Sequence, residues 1–265
     1  MNNPNERIIP NRSEYLSECT FEQDVLDFSK MPLSFWKDMR DNWHKNHSIG
    51  VDALIDGDKE YSHEELLSFL NHPLFNAYGY SEFAHKNYVI DSHINSNDRP
   101  WMKFIKSKYT QGSSILDFGC GDLTNAICFY DMGYKTTVVD APADWIKFIE
   151  YRCKKYGVNI DFRYSKTNNT FLKNDDQFDV IFSHEVLEHV KNPDKVLKYL
   201  VDYLKVGGLL FASVTFSTGA FHLKENHEKF GYGPEGNVHH HPEWMKVLNS
   251  LNLVSIGNDF YIKGK

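Results

Sequence analysis

Apolar positions along this chain change their spacing near Arg99-Pro100. Upstream they recur at helical intervals, in residues 34–45 and again after Ser62-His63-Glu64-Glu65. In the second stretch Ser62 can accept from the amide three residues on while Glu65 reaches back, a capping box. Leu66, Leu67, Phe69 and Leu70 supply the apolar face that follows. No run before residue 99 reads as a buried strand, so residues 1–99 are expected to form a mostly helical extension.

Downstream, short apolar runs alternate with amphipathic stretches. Residues 114–118 read as a buried strand running into Gly119-Cys120-Gly121. Residues 123–132 form a helix closed by Gly133, and residues 135–139 a second strand ending at Asp140. A helix over 143–156, closed by Gly157, precedes strands at 158–162 and 178–182. Asn192-Pro193-Asp194 opens the next helix with a cap, a proline at the first helical position and an early acid. That helix is expected to run to about Lys205, with Gly207-Gly208 ending it before a fifth strand at 209–214. A helix at 242–251 and two strands around Gly257-Asn258 complete the pattern. Strands alternating with helices predict an α/β, Rossmann-like fold over 100–265, a mostly parallel sheet with helices on both faces.

Charge narrows the partners. The net formal charge is −7 and no block of Lys or Arg appears, so the electrostatic footprint of a nucleic-acid binder is missing. Cys19, Cys120, Cys128 and Cys153 follow no framework or C-x-x-C spacing, which fits free thiols in a reducing compartment. The polar start lacks the apolar core of a signal peptide, and no apolar run has the length of a membrane span. A cytoplasmic protein with a small-molecule acceptor, and neither nucleic acid nor membrane as partner, is the expectation.

The chemistry concentrates where the first two strands end. Glycines after a strand let the backbone approach a ligand at a helix N-terminus, and an acid ending the next strand can accept from two ribose hydroxyls. Gly119, Gly121 and Asp140 have that arrangement. A dehydrogenase fingerprint would need a third glycine where Thr124 stands, and no Gly-Lys-Ser/Thr follows for a phosphate loop.

In these segments the chain resembles the class I S-adenosylmethionine-dependent methyltransferases. ILDFGCG (115–121), VVD (138–140), FDVIFSHEVLEHV (178–190) and LKVGGLLFASV (204–214) match that family's motifs in order, over about residues 100–263. The resemblance implies that Asp117, Gly119 and Gly121 line the methionine part of S-adenosylmethionine and that Asp140 holds the ribose. Cys120, Ala141, Ser165, Ser183 and His184 complete the implied cofactor contacts. Two positions depart from the pattern: Leu123 replaces a usual glycine, and Tyr164-Ser165-Lys166-Thr167 lacks the acid that often faces the adenine.

Histidines mark the remaining candidates. His184 and His189 are five apart, whereas a helical zinc motif needs four, so His189 reads as a hydrogen-bonded structural residue. The polar stretch 217–241 is too long for an ordinary connection and reads as a functional loop insertion. It carries His222, His227, His239, His240 and His241. An unperturbed imidazole titrates near pH 6.5, which suits taking a proton from an oxygen or nitrogen nucleophile. His184, Glu185, His227 and His239 are therefore the candidate catalytic groups. No metal ligand set is assigned, although imidazole and carboxylate together suit zinc or iron. The expected function is methyl transfer from S-adenosylmethionine to oxygen or nitrogen of a metabolite, sugar or secondary-metabolite intermediate, with residues 1–99 capping the acceptor side. The alternatives are a metal-dependent, non-methylating enzyme using the histidine loop and a non-catalytic cofactor-binding partner.

Overall fold

The computed structural model describes residues 18–41, 65, 68, 99–165, 171–217, 222–231, 241–257 and 259–265. Five strands lie parallel: β1 (Ser114–Phe118), β2 (Lys135–Asp140), β3 (Asp161–Tyr164), β4 (Phe178–His184) and β5 (Leu204–Ser213). The hairpin of β6 (Leu253–Gly257) and β7 (Phe260–Lys263) adds antiparallel to β5 through β7, giving the order β3-β2-β1-β4-β5-β7-β6. After β3 the chain crosses back to the other side of β1. This reversal opens a crevice at the carboxyl ends of β1 and β4, where ligands of open α/β sheets bind.

The apolar runs divide their side chains between two faces, because successive residues of a strand point opposite ways. Leu116, Phe118, Val139, Ile181 and Leu210 pack with Leu197 and Leu200 of α6 (Pro193–Asp202) and Trp244 and Leu248 of α8 (Pro242–Ser250). Their neighbours Ile115, Val180, Phe182, Leu209 and Phe211 meet α3 (Pro100–Lys108) and α4 (Thr124–Asp131) on the opposite face. Val138 faces α5 (Asp144–Lys155), whose Phe148, Ile149 and Cys153 share a cluster with Phe21, Val25 and Trp36. Those three residues belong to α1 (Glu18–Ser29) and α2 (Leu33–Asp41), so the described part of the extension packs on the outside of α5.

Three sequence expectations need correction. β3 starts at Asp161, opposite Thr137, and not at Val158. The Val158 amide donates to Cys153 O at 2.8 Å and both Val158 and Ile160 are buried against α5, so these apolar residues close a helix before pairing begins. α6 ends at Asp202, and Gly207-Gly208 lie inside β5. Buried Leu204 pairs with Phe178, and Gly207 at φ +77 absorbs the register shift that follows. Lys263 Nζ donates to the Val201 and Leu204 carbonyls, both at 2.7 Å, which satisfies the helix end that a glycine had been expected to close. Finally, the interval 217–241 contains a helix, α7 (Lys224–Phe230), with Asn226 and Phe230 buried. Residues 42–45, Ser62 and the apolar face around Leu66 to Leu70, Ser68 excepted, lie outside the described residues.

Candidate functional site

β1 and β2 deliver the first half of the site. Gly119 leaves β1 at φ +73 with its amide donating to Val139 O at 2.8 Å, which ties the turn to β2. A Cβ on Gly119 would lie 2.3 Å from Val186 Cγ2, so this glycine is demanded by a protein side chain from the turn after β4. Gly121 is different: at φ +49, a Cβ there would meet nothing nearer than a carbonyl at 4.0 Å. Its amide donates to Asp140 Oδ2 at 2.8 Å, and the Ala141 amide donates to Oδ1 at 2.6 Å. Each carboxylate oxygen has a second lone-pair direction, so Asp140 is oriented by the backbone and still able to accept from a ligand. Ser165 donates its amide to Asp140 O at 2.8 Å and so fixes the end of β2 from β3.

Burial governs the charges beneath this turn. Asp117 is buried, its Oδ2 has no hydrogen-bond partner, and burial followed by the nearby charge of Asp140 pushes its pKa well above the usual carboxylate range. The Cys120 thiol is pushed well up, first by burial and then by Asp140, and stays protonated in the apolar cluster beside α4. Leu123 explains its own departure from the family pattern. It adopts φ +62 at the N-cap of α4 while completely buried. The backbone keeps the left-handed turn that a glycine would take without strain, and the leucine side chain compensates by filling the core.

These residues fit S-adenosylmethionine. Open space faces Gly121, Asp140 retains free lone pairs, and an orphaned buried oxygen of Asp117 lies beneath the turn.

The second half comes from the end of β4. Ser183 is fully buried with an unpartnered Oγ, while the ring of His184 is half-buried among aromatic rings. Trp101 lies 5.2 Å from it and Phe211, at 6.1 Å, is nearly parallel to it. Burial lowers the His184 pKa, which keeps the imidazole neutral and able to accept a proton. Glu185 takes φ +53 and accepts from Ser213 Oγ at 3.0 Å. Hydrogen-bond donors outweigh burial and hold its carboxyl below the usual range, so it is ionised.

Beyond Glu185 a 3-10 turn, Leu187–His189, meets the start of α7. The Leu223 amide donates to Glu188 O at 3.1 Å, and Asn226 Nδ2 donates to the carbonyls of Glu188 at 3.0 Å and Val190 at 2.8 Å. Inside this frame Glu188 is completely buried, and its carboxyl shares a hydrogen bond with that of Glu185. Burial, reinforced by the neighbouring charge of Glu185, raises its pKa to about 8. The His189 and His222 rings stand edge to face with centroids 4.8 Å apart.

Thus the structure gathers Asp117, Gly119, Cys120, Gly121, Asp140, Ala141 and Ser165 on the β1–β3 side, and Ser183, His184 and Glu185 at the end of β4. His227 sits on α7 with its ring against Gly231, and His239 lies outside the described residues. Sequence reasoning missed Trp101 as a wall of the site, because a proline-initiated helix carries no signal of which strand end it crosses. It also left Glu188 without a role, although HEVLEH placed it beside His189.

A family model described as a methyltransferase domain matches residues 91–256. The chain is 28% identical over 109 residues to a ubiquinone biosynthesis O-methyltransferase of Xanthomonas euvesicatoria, covering 41% of this chain and 46% of that protein. It is 30% identical over 138 residues to the protein of the same name from Pelagibacter ubique, covering 51% and 52%. The chain spans about half the length of the curated relatives it matches. Among solved structures it is similar to phosphoethanolamine N-methyltransferase 2 of Haemonchus contortus in complex with S-adenosyl-L-methionine, with 18% identity, a TM-score of 0.41 and coverage of 57% of this chain and 35% of that one.

Proposed function

We propose that this chain, which belongs to the methyltransferase-domain family of class I S-adenosylmethionine-dependent enzymes, methylates an oxygen or nitrogen of a small-molecule acceptor. The observation that carries the reading is Asp140, whose two oxygens are aimed by the Gly121 and Ala141 amides beside an open glycine turn. Similarity to proteins named O-methyltransferases supports oxygen as the modified atom. When bound, S-adenosylmethionine supplies a methyl group on a positively charged sulfur, a leaving group that needs no acid.

The protein's own work is then orientation and proton acceptance. Asp140 would accept from the ribose hydroxyls, and the backbone from Gly119 to Gly121 would hold the methionine part. Neutral His184 and ionised Glu185 stand at the end of β4 as proton acceptors for an acceptor hydroxyl. Trp101 packs against His184 with its ring tilted by 40° and forms one wall beside it. Holding both reactants in line can supply about 7–11 kcal/mol of the barrier reduction. The 1–99 extension shapes the acceptor side in this reading.

The test incubates the full chain with S-adenosylmethionine and a panel of hydroxylated and amine acceptors, and measures S-adenosylhomocysteine. Acceptor-dependent product that disappears in Asp140→Ala is the expected result. Calorimetry that finds no affinity for either cofactor form would overturn the proposal.

A further inference from the structure

The geometry points to a divalent metal site of the zinc or iron(II) class built from Glu188, His189 and His222, which staples the segment before α7 to the turn after β4. One ligand atom from each of the three residues lies within 4.8 Å of the others. Two metal bonds of about 2.1 Å at a tetrahedral angle set their ligand atoms about 3.4 Å apart, so the three atoms have to draw together by up to about 1.4 Å. Both histidines are partly exposed and so have room to do this.

Three independent observations favour an ion over a chance cluster. Glu188 buries a carboxyl group completely, and the side chain it is hydrogen-bonded to is a second carboxyl, Glu185, a state that is costly unless a proton, a cation or a set of donors offsets it. His222 Nδ1 lies 2.8 Å from Ser217 O. A carbonyl oxygen only accepts, so Nδ1 carries the proton and Nε2 presents its lone pair. This is the outer contact that orients metal-binding imidazoles. Lastly, the two chain segments are registered by Leu223 N and Asn226 Nδ2, both donating to the carbonyl of Glu188 itself. The ligand backbone is therefore held in place before any ion arrives.

Two imidazoles and one carboxylate suit a borderline divalent ion better than magnesium or calcium, which prefer all-oxygen sets. Three protein ligands also leave a coordination position for water or an acceptor oxygen. Metal binding itself does not depend on the methyl-transfer reading, and it is tested separately.

The full chain, prepared without a histidine tag, is stripped with chelator, titrated with zinc chloride, and dialysed before metal analysis. One zinc per chain is expected, with affinity reduced at least about tenfold in Glu188→Gln and His222→Ala, the smallest loss seen when even an outer partner of a ligand is removed. The double variant His239→Ala/His240→Ala separates the site from the histidine run at 239–241 and should bind as the parent does. Cobalt(II) provides a second reading that does not depend on variant stability: its visible absorption in the parent chain should show nitrogen and oxygen ligation. Failure of the parent to retain zinc, unchanged binding in Glu188→Gln, or loss confined to the His239/His240 variant would each overturn the proposal.

Discussion

The seam between α1 and α5 and the rim at the carboxyl ends of β1 and β4 both bury acids, and they treat them in opposite ways. At the seam Asp24 is fully buried. It accepts from Arg152 Nη1 and Lys155 Nζ, each at 2.5 Å, and from Tyr156 Oη at 3.0 Å. The Arg152 guanidinium also lies over the Phe21 ring at 4.8 Å. At the rim, Asp117 Oδ2 and Ser183 Oγ have no partner, and Glu188 shares its hydrogen bond with another acid, Glu185. Buried polar groups are normally paired, so the Asp24 carboxylate looks like finished structure and the rim acids like groups awaiting ligands. Asp140 stands between the extremes, satisfied by two amides yet with lone pairs to spare.

Each side of this contrast can be broken. Asp24→Ala leaves Arg152 buried without its anion, and unfolding in denaturant should show a loss of about 3–5 kcal/mol. A loss near zero would mean that the seam contributes little to the fold. Asp140→Ala should weaken S-adenosylhomocysteine binding at least a hundredfold, about 3 kcal/mol for two hydrogen bonds to a charged acceptor. Calorimetry reads this directly, and an undiminished affinity would detach Asp140 from the cofactor.

Leu123→Gly trades a buried side chain for a relaxed left-handed turn. Lost packing of about 2–5 kcal/mol outweighs about 1–3 kcal/mol of relieved strain. A net destabilisation of about 1.5 kcal/mol is expected from the midpoints of those ranges, and a stabilised variant would show that the turn conformation dominates.

The smallest effect is a pH dependence. Because the Asp117 pKa is raised in the fold, the unfolded chain ionises first as pH rises. Stability that is fully present below the usual carboxylate range is then lost towards the raised folded value. Asp117→Asn lacks this proton. Without cofactor, its stability relative to the parent should therefore improve by about 1–2 kcal/mol between pH 4 and pH 8, the cost of an unsatisfied buried group. A difference independent of pH would show that Asp117 does not titrate in this range.

Much of this was written locally. The short continuous apolar runs marked strands buried on both faces of the sheet, and Gly119-Cys120-Gly121 followed by Asp140 marked the cofactor side. Each depends on residues close in sequence and on backbone constraints that act over a single turn. Local rules failed where a distant contact competed. Val158 looked like a strand residue until packing against α5 claimed it, and Gly207-Gly208 looked like a helix stop although Leu204 pairs with Phe178. The same holds for the rim. HEVLEH could not reveal that Glu188 would be sealed under the segment that carries His222 and Asn226, because that burial needs two pieces of chain more than thirty residues apart. Spacing therefore located the ligand-facing backbone, and only the three-dimensional packing decided which buried charges were left without partners.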